Sequence, residues 1–100
     1  MKEHLSKTDI VNLIRTEKTF LKNEFGVVAI GLFGSYAKGE QNADSDIDIL
    51  VELKEPRFDW LAGLQIYMEK KFGRKIELVR KSNLVRSRFI ERVEKDVIYV

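Results

Sequence analysis

Apolar positions change their spacing several times along this chain, and each change marks an element. Ile10, Leu13, Ile14 and Leu21 recur at helical intervals, with Phe20 and Phe25 widening the stripe, and predict one long amphipathic helix. Ser6-Lys7-Thr8-Asp9 is a Ser-x-x-acid start for it, with Asp where Glu or Gln is usual, and Gly26 is its stop. From 27 to 33 the chain is apolar throughout and β-branched at its start, which reads as a central strand. Gly34 and Ser35 end that strand, 36–39 is one short helical turn, and 40–45 is a polar loop. A second strand is predicted over 46–53. Beyond Pro56, a second long helix over 58–72 carries Leu61, Leu64 and Met68 on one face, with Trp60 and Tyr67 beside them as core residues, and Gly73 ends it. A third strand over 75–79, a polar helical stretch over 82–94 and a last short strand over 97–100 complete the order α-β-(α)-β-α-β-α-β. That order predicts an α/β (α+β) fold, a single domain over 1–100, with a small mixed sheet, helices on one face and the other face open.

The second strand holds a contradiction, because Asp46 and Asp48 flank Ile47 and run into Ile49, Leu50 and Val51. Asp is disfavoured in strands, and a buried negative charge needs a partner or a cation. Alternation puts Ile47, Ile49 and Val51 on the helix-covered face and Asp46, Asp48 and Leu50 on the other. If Ile76 and Leu78 join the same core, Glu77 emerges beside Asp46 and Asp48, with Glu52 the next carboxylate on that face. Three converging carboxylates repel by kcal/mol amounts unless something positive sits among them. Hard oxygen donors favour Mg²⁺ or Mn²⁺, and Mg²⁺ commonly shares its shell with substrate phosphates. Upstream, Gly34 and Ser35 open a turn whose backbone N–H groups point outward, and the bare Gly34 lets a phosphate come close. Phosphoryl or nucleotidyl transfer is the chemistry such an arrangement serves.

Simpler readings stand beside this one. Asp44, Asp46 and Asp48 are spaced like positions 1, 3 and 5 of a calcium loop, with Glu55 at position 12, but Ile49 occupies the place of the required Gly. Asp46 and Asp48 as solvated strand-start residues, and Glu77 as ordinary strand alternation, also remain open.

Composition changes the picture in three places. With no Cys, and His4 the single histidine, thiolate sites are excluded and zinc is disfavoured. Lys and Arg number 18 against 16 Asp and Glu, a net charge of +2 that does not announce nucleic acid as a direct partner. The apolar run 27–33 is far short of the roughly 20 residues that span a bilayer, and the start MKEHLSKTD lacks a signal-peptide apolar region, so a cytoplasmic protein without a membrane partner is expected. The basic residues Arg80, Lys81, Arg86, Arg88 and Arg92 read as a solvated face or as a dock for a partner or phosphates.

Gly34-Ser35, Gly39 and Ser45-Asp46-Ile47-Asp48-Ile49 resemble the G-S-x-A-x-G…S-D-I-D-hydrophobic signature of the DNA polymerase β-type nucleotidyltransferase superfamily. The chain length, the leading helix and the ending IYV are similar to its minimal nucleotidyltransferase branch, MNT. The resemblance implies the nucleotidyltransferase fold and Mg²⁺-dependent transfer of a nucleoside monophosphate, usually AMP from ATP, with pyrophosphate released. It also implies a HEPN toxin as partner, with the chain as antitoxin, in some members by adenylylating a tyrosine of that partner. Carried over by position, Gly34 and Ser35 would hold the triphosphate with Lys38 and Ser45 at the nucleotide, Asp46 and Asp48 would bind metal, and Glu77 would be the third carboxylate, as ligand or base. Glu77 stands where many members have Asp, and Lys38 where Arg is frequent, which keeps the charge but loses the planar fork. A chain this short lacks a second domain to grip an acceptor, so the expected acceptor is a hydroxyl on the partner protein. The rivals are a non-catalytic module that masks a HEPN partner by contact, and a transferase acting on a small molecule or a nucleic-acid end.

Overall fold

The computed structural model describes residues 5–81 and 88–100. Its elements are α1 (Lys7–Phe25), β1 (Val27–Phe33), α2 (Gly34–Lys38), β2 (Ile47–Leu53), α3 (Phe58–Phe72), β3 (Ile76–Arg80), α4 (Arg88–Asp96) and β4 (Ile98–Tyr99). The expected capping box starts α1: the Asp9 N–H donates to Ser6 Oγ at 3.1 Å, and the Ser6 N–H donates to Asp9 Oδ2 at 3.0 Å. Gly26 ends it in the left-handed conformation, with φ 63°, which glycine adopts without a Cβ penalty. The first part of the helical stretch expected over 82–94 falls in 82–87, outside the described residues, as does His4.

The sheet order is β3-β2-β1-β4. β1 runs antiparallel to β2 and β4, while β2 and β3 are parallel, so the sheet is mixed as expected. β1 is internal, yet Val28 is 61% exposed, because a bulge between Val27 and Ala29 turns it away from the core. On one face α1 and α3 bury Ile47, Ile49 and Val51 together with Ile10, Ile14, Leu64 and Met68. Trp60 and Tyr67 pack against that core from its edge.

The other face is open only in part. Ile90 and Val93 of α4 pack on Phe33 and Leu50, so the half of the sheet next to Asp48 is covered. Lys81 fastens this helix through an ion pair to Glu94 at 2.7 Å, a hydrogen bond that also lifts the lysine above its ordinary pKa. Leu50 explains the cover: an apolar side chain on the carboxylate face needs a neighbour to exclude water. No described helix is long and apolar enough to cross a membrane.

Candidate functional site

Chain reversal at Gly34 builds one wall of the site. Tyr36 and Ala37 of α2 are buried in the main core, and burying a large side chain of that kind is worth about 1.5–3 kcal/mol. That anchor leaves Gly34 and Ser35 half-buried at the rim. Gly34 has φ 76°, and an L-residue's Cβ there would collide with Asp48 Oδ2 and stand 2.9 Å from Asp48 Cγ. The glycine therefore serves the carboxylate first, by making room for it. This contact follows from the antiparallel register, which sets Phe33 opposite Asp48.

Glu77 enters from the other side. In the parallel ladder Asp48 is the partner of Glu77, so the two carboxylates stand on adjacent strands, and Asp46 immediately precedes β2. Burial, then the charge of Glu77, then that of Asp46 push the Asp48 carboxyl up to about 6. Asp48 is half-buried and Glu77 is exposed. Among the described residues no three His, Cys, Asp or Glu side chains are drawn together closely enough to hold a metal ion. The donor set nevertheless suits a hard cation: acceptor-only oxygens whose mutual repulsion already raises the proton affinity of the central one.

The remaining expected residues take different places. Lys38 is exposed, with Nζ 3.9 Å from an Asp96 carboxylate oxygen of α4. Ser45 closes the loop before β2, its Oγ accepting from the Asn42 N–H at 2.9 Å and its N–H donating to the Asn42 carbonyl at 3.1 Å. Its hydroxyl thus sets the approach of Asp46. The same loop is tied to the α3–β3 turn, where Arg74 Nη1 donates to the Ala43 carbonyl at 2.9 Å. Glu52 lies farther along the carboxylate face, opposite Ala29. Sequence reasoning did not single out Phe89 or Asp96, which line the cleft beside Gly34. Clefts of about 490 and 500 Å³ lie elsewhere, the first among Lys18, Lys22 and Lys54 and the second around Arg74 and Lys75. Neither is lined by Asp46, Asp48 or Glu77, so the candidate site rests on chemistry and not on volume.

Comparison with known proteins gives the family. A Methanocaldococcus jannaschii protein, provisionally named as a protein adenylyltransferase, is 41% identical over 96 residues, covering 93% of this chain and 96% of its own. Protein adenylyltransferase MntA of Thermococcus cleftensis is 39% identical over 97 residues, covering 96% and 97%. A solved structure described, again provisionally, as a minimal nucleotidyltransferase superposes with a TM-score of 0.77 at 29% identity, covering 96% of this chain and 97% of that chain. A structure described as a tri-AMPylated Shewanella oneidensis HEPN toxin in complex with MNT antitoxin, at 21% identity and TM-score 0.56, covers 93% of this chain and 66% of that chain and shows likeness of fold alone. The model of the nucleotidyltransferase domain matches residues 14–100, and with relatives this similar along nearly all its length the chain belongs to that family and is a nucleotidyltransferase.

Proposed function

We propose that this chain moves AMP from ATP onto a hydroxyl of a partner protein, that the partner is a HEPN-type helical toxin, and that the chain is its antitoxin. The observation that carries the chemistry is the Asp48 carboxylate, seated against the bare Gly34 and pressed by Glu77 and Asp46. Relatives named as protein adenylyltransferases support AMP and a protein acceptor, and the AMPylated HEPN toxin bound to an MNT antitoxin supports the partner class.

In this reading Asp46 and Asp48 hold Mg²⁺ or Mn²⁺, which when bound neutralises triphosphate charge and polarises the reacting phosphate. Gly34 and Ser35 receive the triphosphate at the start of α2, and Lys38 leaves Asp96 to meet it. Ser45 keeps the loop that carries Asp46 in place. The acceptor oxygen attacks the α-phosphorus, the bond to the β-phosphate breaks, and pyrophosphate leaves. Glu77, exposed beside Asp48, takes the proton from the attacking hydroxyl.

Mass spectrometry of a co-expressed HEPN-type partner tests the proposal. Added AMP on the partner with the wild-type chain, and none with Asp46→Asn, is the expected result. An unmodified partner that is still held in a stable complex would overturn it in favour of masking by contact.

A further inference from the structure

Beside Gly34 lies a cleft of about 200 Å³, walled by Gly34 and Lys38 on one side and by Phe89, Arg92 and Asp96 of α4 on the other. Phe89 meets Phe33 edge-on, with ring centroids 6.5 Å apart and planes at 80°, yet it remains 52% exposed. Ile90 and Val93 already close α4 onto Phe33 and Leu50, so the cover over the sheet does not require the Phe89 ring to face solvent. An aromatic ring half exposed next to a polar site offers a stacking surface. Two cations flank it, Lys38 and Arg92, and both line the cleft together with the Asp96 carboxylate, which lies 3.9 Å from Lys38 Nζ and must yield the lysine to an anionic ligand. A fitting ligand is flat and apolar at one end and anionic at the other.

We propose that this cleft seats the nucleobase of the substrate, stacked on Phe89, with Arg92 and Lys38 turned toward its phosphates. The inference rests on the nucleotide reading above and adds the residue that recognises the base. Stacking on a phenyl ring accepts any base, because every base has a π-face. Selection among nucleotides at this position therefore follows stacking strength, purines ahead of pyrimidines. Arg92, read from the sequence as part of a basic face, acquires a particular place in that arrangement.

Titration calorimetry on the full chain, with Mn²⁺ present throughout, separates the base from the phosphates. ATP and inorganic tripolyphosphate are the two probes, and wild type, Phe89→Leu and Phe89→Trp the three proteins. Leucine keeps an apolar contact with Phe33 but has no ring, and tryptophan enlarges the ring. Wild type should bind ATP more tightly than tripolyphosphate. Phe89→Leu should weaken ATP about tenfold or more, in line with the loss of one stacked base, and leave tripolyphosphate unchanged. Phe89→Trp should bind ATP at least as tightly as wild type. Equal affinity of wild type for the two probes, or an unchanged ATP affinity in Phe89→Leu, would overturn the base seat while the nucleotide reading stands. A wild-type chain that binds neither probe would remove both. If Phe89→Leu does not fold, a tenfold weaker ATP affinity in Phe89→Trp with tripolyphosphate unaltered also refutes stacking.

Discussion

Asp48→Asn should make the apo protein more stable at neutral pH and erase one component of its pH dependence. The Asp48 carboxyl is pushed from 3.8 up to about 6 by burial and by the charges of Glu77 and Asp46. At about 1.4 kcal/mol for each tenfold change in proton affinity, that difference is worth about 3 kcal/mol at full strength. The group is only half-buried, and solvent screening reduces the figure to about 1 kcal/mol. Because the folded value is raised, the folded chain holds a proton between about pH 4 and 6 that the unfolded chain has lost. The associated stability is fully present below about pH 4 and is lost as pH rises through about 6. Asparagine has no charge to develop, so the variant should gain about 1 kcal/mol over wild type at pH 7 and nothing at pH 4. For a domain of this size the gain corresponds to a melting temperature higher by about 4–8 °C.

Thermal melts of both proteins from pH 4 to 8, at fixed ionic strength and with a chelator, give the comparison. The difference between the two must be read, not either curve alone. Glu17, Asp59 and Glu69 are held below their ordinary values by hydrogen bonds from Tyr67, Arg57 and Gln65, and their contributions run in the opposite sense. These cancel between wild type and variant. A variant that melts lower at pH 7, or a difference that does not change with pH, would refute the picture of a carboxylate strained by its neighbours.

Three further outcomes follow from the same geometry. Gly34→Ala should lose about 1–2 kcal/mol from the left-handed backbone alone, displace the Asp48 carboxylate and abolish transfer; melts alongside single-turnover assays check both, and wild-type turnover would show that the Gly34–Asp48 contact is dispensable. ATP should raise the melting temperature only when Mg²⁺ or Mn²⁺ is present, since Asp46, Asp48 and Glu77 repel the triphosphate; equal shifts with and without chelator would contradict this. Glu77→Gln should lower turnover about 10²- to 10⁴-fold with little change in Mg·ATP affinity, whereas weaker Mn²⁺ binding would make it a ligand, and wild-type values of both would retire it from the site.

The parts of this site that could be read in the sequence are those that depend on one element at a time. Helical spacing placed the second long helix over 58–72, and α3 spans those same residues. Strand alternation separated Ile47, Ile49 and Val51 from Asp48 and Leu50 and put Glu77 beside Asp48, although β2 starts at Ile47, one residue after Asp46. What depended on two elements meeting was out of reach. That Gly34 yields its Cβ position to Asp48 requires knowing that Phe33 pairs with Asp48, a register set by the β1–β2 ladder and not by either strand. The bulge that bares Val28 is hidden for the same reason, because an uninterrupted apolar run does not say where a strand gains a residue.

Leu50 carried a signal that alternation alone leaves unread. It follows Asp46 and Asp48 on one face, and a strand meant to stay open there would gain nothing from a leucine. Its burial to 1% exposure requires a cover, and α4 supplies it through Ile90 and Val93. Covering Leu50 brings Phe89, Arg92 and Asp96 to the edge of Gly34 and Lys38. One apolar residue among the carboxylates thus connects the chemistry of the sheet to the helix that would recognise the substrate.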